Sequence, residues 1–219
     1  MTVALNQVLR QPFSGISHGV GAVLSVVGTV SLVIVAQGRT WHMVSFAIYG
    51  ATLIALYTAS TLYHSLRVGP RALRWLNKLD HMSIFLLIAG TYTPLCLVTL
   101  RGAWGWSIFG TVWGIAAAGI TAMVLWRTCP HWVRVTLYIL MGWIAIIAIG
   151  PIRTALPPKA LWWLIGGGVA YTGGVVFYAT EWPRLWPNVF DGHDVWHLFV
   201  MAGSACHYVL VLKFIGSAG

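Results

Sequence analysis

Charge is scarce in this sequence: 8% of its 219 residues are Asp, Glu, Lys or Arg, and only four of those are acidic. An average soluble chain carries about 25%, so there is too little charge to clothe one core in water. The three cysteines, Cys96, Cys129 and Cys206, form no CxxC pair, which excludes a disulfide framework and a dithiol redox motif. No internal repeat or low-complexity tract is present, which excludes a solenoid. The start lacks a basic stretch, a short apolar run and a small-residue cleavage site in that order, so the first long apolar run is expected to serve as its own insertion signal. The shortage of acid leaves a net charge of +9. Its basic residues fall in separate loops rather than on one face, which argues against a nucleic-acid partner.

What the sequence has in abundance is apolar residues, 58% of the chain, grouped in runs of about 20, the length that crosses a hydrocarbon layer of roughly 30 Å. The runs predict an all-α membrane protein with seven transmembrane helices over Ser17 to Gln37, Met43 to Leu66, Lys78 to Leu100, Ala103 to Trp126, Val133 to Ile152, Ala160 to Thr180 and His193 to Ile215. Residues 1–16 then form an N-terminal cytoplasmic segment and residues 17–219 one transmembrane domain. With the N-terminus inside, Arg10, Arg67, Arg71, Arg74, Lys78, Arg127, Arg134 and Arg184 lie on the cytoplasmic side, against Arg39, Arg101, Arg153, Lys159 and Lys213 opposite. The positive-inside rule favours that orientation and places the C-terminus outside. Trp41, Trp75, Trp104, Trp132, Trp162 and Trp182 cluster at span ends, where indole anchors a helix to the headgroup layer.

Two features read as architecture. Gly166, Gly167, Gly168, Gly173 and Gly174 in span six let a neighbouring helix approach closely. Pro94 in span three removes an amide donor and crowds the carbonyl of Gly90, predicting a bend whose freed groups Thr91 and Thr93 are expected to satisfy.

Other residues are ones that lipid tolerates poorly. Asp80 opens span three, where a carboxylate is either a helix-start residue favoured by the dipole or a paired, hydrated or metal-associated group. His193 and His197 stand four apart, which on a helix puts both imidazoles on one face. His64 ends span two, with Ser60 one turn before it. The seven-span topology brings His64, Asp80, His193 and His197 to similar depth on the cytoplasmic side, and three neutral imidazoles with a nearby carboxylate suit a catalytic zinc ion. His18 is read as an interfacial histidine, with a fourth ligand or a supporting donor as the alternatives. His207 lies roughly 15 Å beyond His197 along the helix, too far to share an ion, though placed to line a deeper cavity. His81 points away from Asp80, and His42 and His131 read as loop residues. Asp191 is expected to cap span seven, with Asp194 in its first turn.

At these residues the chain resembles the hemolysin III family, the bacterial branch of the progestin and adipoQ receptors, in a superfamily that includes alkaline ceramidases. The resemblance runs from about Ile16 to the C-terminus. It rests on SGISHGVGAVLS, STLYHS, LDHMSIFLLIAGTYTP and GHDVWHLFVMAGSACHY, in which Ser-xxx-His, the acidic residue of span three and His-xxx-His follow in order. It implies a multi-pass protein of the bacterial plasma membrane, with a cytoplasmic N-terminus and Zn2+ held by His64, His193 and His197. Asp80 would act through a water on the metal, with Ser60 beside the site. The family name implies cytolysis or channel formation instead.

Three functions compete at this stage. The leading one is a zinc-dependent hydrolase acting on a membrane lipid amide or ester, with Asp80 as general base and Ser60 steadying an oxyanion or orienting water. The second is a pore. Outside the cluster the spans carry mainly hydroxyls and glycines, which argues against a wide monomeric channel and leaves a homo-oligomeric pore. The third is a sensor of membrane state that uses zinc as a brace.

Overall fold

The computed structural model describes residues 8–126, 130–183, 186 and 190–217; Arg127, Cys129 and Arg184 lie outside the described residues. Among the latter, seven helical stretches are long and apolar enough to cross a membrane: Pro12–Val35, Thr40–Ser65, Pro70–Thr99, Ala103–Leu125, His131–Ala155, Pro158–Thr180 and Gly192–Ile215. Each expected span has its counterpart. The outward face of span one shows why lipid is its solvent, because Val23, Val27, Val30 and Ile34 form one exposed apolar stripe at helical spacing. The chain is a multi-pass integral membrane protein.

The helix starts are encoded locally. Spans one, three and six open on Pro12, Pro70 and Pro158, a position where the missing amide costs nothing and the fixed φ suits a helix. Span seven opens, as expected, on a capping box. Asp191 Oδ1 accepts from the amides of His193 (2.8 Å) and Asp194 (3.3 Å), while Asp194 Oδ2 accepts from the Asp191 amide (3.1 Å). Asp194 Oδ1 also accepts from the Ser14 hydroxyl at 2.5 Å, which ties the starts of spans one and seven together. Asp191→Ala is expected to remove about 1 kcal/mol of stability, read as a lowered melting temperature of the detergent-solubilised protein.

Several expectations are corrected. Span three begins at Pro70 rather than Lys78, because backbone hydrogen bonding does not stop where hydrocarbon does and the basic turns carrying Arg71 and Arg74 remain helical. Asp80 therefore sits about three turns inside the helix, beyond the reach of the dipole, which fades within the first turn. Past Pro94 the helix continues as a π-helical turn, Leu95–Thr99. Thr91 and Thr93 bond the carbonyls of Leu87 (2.8 Å) and Ala89 (2.9 Å) rather than that of Gly90, since a helical threonine reaches the carbonyl four residues back. His42 is buried inside span two and His131 is the first residue of span five, so neither is a loop residue.

Span five holds a break that the sequence did not announce: its α-helix ends at Gly142 and a 3-10 segment, Ile144–Ala148, follows. The Tyr92 hydroxyl covers the interruption, donating to the Gly142 carbonyl (2.7 Å) and accepting from the Ala145 amide (2.9 Å), so that backbone groups at the break keep partners away from water. Span three is the central helix. It is 61% buried over its apolar stretch, against 17% for spans five and six; it lies close against span two where a Cβ at Gly90 would run into Thr52, and its Phe85 ring meets Gly119 of span four and Tyr138 of span five. Span six lies close against span seven at Gly167 and Gly174, where a Cβ would run into His207 and into Phe199 and Trp196 respectively. Gly166 faces open space and takes no part in that contact.

Candidate metal centre

Spans two, three and seven deliver the predicted residues to one end of the bundle. His64 is the last turn of span two and 1% exposed, and His197, one turn into span seven, is 2% exposed. His193 is half-buried on the same face. His193 Nε2 and His197 Nε2 are 3.1 Å apart, and one ligand atom from each of His64, His193 and His197 falls within 4.8 Å of the others. Asp80 joins them from span three, with Oδ2 3.8 Å from His64 Nε2. Ser60, one turn before His64, lines the same cavity as Asp80.

The chemistry of the donor set fits a metal ion. His64 Nε2 is buried without a hydrogen-bond partner, a state that ordinarily costs about 1–3 kcal/mol. The His193 and His197 Nε2 atoms face each other at 3.1 Å. Two nitrogens bound to one tetrahedral zinc at about 2.05 Å are roughly 3.3 Å apart, close to the spacing of this pair. The buried triad thus has the ligands and the proximity to hold a metal ion.

Two further residues belong to the site. His18, read from sequence as interfacial, is buried at 3% exposure, its ring tilted against His197 (centroids 3.8 Å) and edge-on to Tyr57 (5.0 Å). Both of its ring nitrogens lack partners. The available signal was Pro12, a helix-start residue that sets His18 more than one turn into span one. Gln11 was missed altogether: its Oε1 lies 2.5 Å from His64 Nδ1, a contact across 53 residues of chain that no local pattern announces.

A cavity of about 850 Å³ extends from this cluster into the bundle, within the range of about 300–1,000 Å³ common for small-molecule sites. Exposed His131, Glu181 and Asp191 border it at the histidine end. Ile84, Leu87, Ile88, Val135 and Val175 line its middle, and Trp143, Tyr171 and His207 its deep end. His207 donates from Nε2 to the Leu164 carbonyl at 3.1 Å, so it lines the deeper cavity and stays out of the cluster, as its spacing required. His81 is turned to the Asn77 carbonyl and the Tyr178 hydroxyl, yet borders the same cavity. On span six the lining reaches back only to Gly168, leaving roughly 15 Å of helix to Pro158 beyond it. Ala148, Ile152 and Ala160 are fully buried in that far part of the bundle. Among the described residues the cavity is blind, not a through-channel.

Residues 6–208 match the family described as Haemolysin-III related. The chain is 36% identical to the Hemolysin-3 of Bacillus cereus over 217 residues, covering 98% of this chain and 96% of that one. It is 36% identical to the Hemolysin-3 homolog of Bacillus subtilis over 203 residues, 92% of each. A more distant similarity, 27% over 179 residues, covers 80% of this chain and 72% of the human monocyte to macrophage differentiation factor. With the seven spans, the histidine triad and a match over almost its whole length, the chain belongs to the Haemolysin-III related family of integral membrane proteins.

Proposed function

We propose that this protein is a zinc-dependent hydrolase acting on a lipid amide or ester from within the bilayer, with its site on the cytoplasmic side. The observation that carries the reading is the coincidence of three converging imidazoles and one carboxylate at the polar end of a blind, apolar-walled cavity. His64, His193 and His197 would hold the ion, which when bound supplies Lewis acidity toward a carbonyl and toward water. The chain's own groups do the rest. Asp80 Oδ2, with Ser60 beside it on the cavity wall, takes a proton from an attacking water and returns it to the leaving group. The apolar walls around Ile84, Leu87 and Val175 accept the hydrocarbon of the lipid and exclude bulk water. The basic residues that share this end of the bundle, Arg67, Arg71, Arg74 and Lys78 among them, support its cytoplasmic placement.

The names of the two bacterial relatives favour a second reading, a cytolytic pore. The blind cavity speaks against a pore through one copy, so this reading needs several copies. One pair of assays separates the two. Purified protein loaded with zinc is incubated with a panel of lipid amides and esters, and the same preparation is reconstituted into dye-filled vesicles. Hydrolysis that stops on chelation and is absent from His64→Ala, without dye release, is expected. Dye release undiminished in His64→Ala, with no lipid turned over, would establish the pore and sink the hydrolase.

A further inference from the structure

We infer that Gln11 is a positioning residue for the metal site: its amide oxygen holds His64 as the Nδ1–H tautomer and so leaves the Nε2 lone pair free for the ion. The inference rests on the metal-binding reading of the triad, not on hydrolysis.

Gln11 occupies the position just before the first helical residue of span one, where a side chain ordinarily caps the helix. It makes no such cap. Its side chain crosses instead to span two and meets His64 Nδ1 at 2.5 Å. The backbone around it is fastened to the same place. The Gln11 amide donates to the His64 carbonyl (2.8 Å) and the Arg10 amide to the Ser65 carbonyl (3.3 Å). Arg10 Nε and Nη2 both donate to the Tyr63 carbonyl (3.1 and 2.6 Å). The start of span one is therefore a strap laid across the end of span two, with one amide placed against the imidazole.

The tautomer follows from what each ring nitrogen meets. A proton on Nε2 would be buried with no acceptor in hydrogen-bond range, because that atom has no partner and Asp80 Oδ2 stands 3.8 Å away. A proton on Nδ1 has the Gln11 oxygen directly before it. The Nδ1–H form is thus the satisfied one, and it is the form in which Nε2 can bind a cation. Partners of this kind change metal affinity by roughly 10- to 100-fold when removed.

The test compares Gln11→Leu, which keeps bulk but offers no acceptor, with Gln11→Glu, which keeps an acceptor, using the full chain in detergent. Two readouts are taken. One is the tautomer of His64 in metal-free protein labelled with 15N-histidine, and the other is zinc affinity by chelator competition, with His197→Ala as the control that breaks the site itself. The wild type is expected to show Nδ1–H. Gln11→Leu should lose that preference and bind zinc roughly 10- to 100-fold more weakly, and Gln11→Glu should match the wild type in both. An unchanged tautomer and affinity in Gln11→Leu, while His197→Ala fails to bind, would overturn the inference and leave the metal site standing. Gln11→Glu behaving like Gln11→Leu would overturn it too, since shape rather than the acceptor would then matter. A wild type that binds zinc no better than His197→Ala overturns the metal reading and the inference together.

Discussion

Purified His197→Ala protein is expected to hold no zinc under conditions in which the unaltered chain retains it stoichiometrically. His197 lies deep at the histidine end, 2% exposed, and supplies the nitrogen closest to a second donor, His193 Nε2 at 3.1 Å. Alanine removes a ligand that no neighbour can replace. His18 packs against the ring of His197, but its nitrogens fall outside the set that converges within 4.8 Å. The loss should exceed the roughly 10- to 100-fold that removing a supporting partner costs. Metal content after gel filtration, checked by chelator competition, measures it. Zinc retained by His197→Ala at wild-type affinity would show that the ion sits elsewhere.

Asp80→Asn tests the other half of the site. The amide keeps the size of the carboxylate and leaves all three imidazoles in place, so zinc should remain bound. It cannot take up a proton in the carboxylate's manner, so hydrolysis of a lipid amide or ester should fall by about 10²- to 10⁴-fold, the usual worth of a positioned general base. The two measurements belong together. Zinc lost along with activity would make Asp80 a ligand rather than a base, and activity retained with zinc bound would remove it from the mechanism.

Much of this architecture could be read from the chain before any coordinates. Seven apolar runs of bilayer length locate seven spans because length and composition are properties of each segment alone. The Asp191 and Asp194 cap is equally local, since its hydrogen bonds close within three residues. Spacing four apart put His193 and His197 on one face, and alternating span direction brought His64 and Asp80 to their level. Span ends were read less well. The basic turns before Lys78 look soluble yet stay helical, because hydropathy reports the solvent and not the hydrogen bonding. Threonine acceptors near Pro94 were misjudged for a similar reason: the missing amide suggested a partner, but the reach of the side chain decided it.

Sequence alone thus determined that this is a seven-span membrane protein with histidines and one carboxylate gathered at a single end, because hydrophobic length and helical period are local quantities. Tertiary structure alone decided which of those groups meet. It set the ring of His18 against His197, brought Ser60 and Asp80 to one cavity wall, closed the far end of that cavity, and laid Gln11 against His64. Each of these depends on the approach of segments distant in the chain, and the angle and distance at which two helices pack is fixed by all the side chains between them, not by the residues that finally touch.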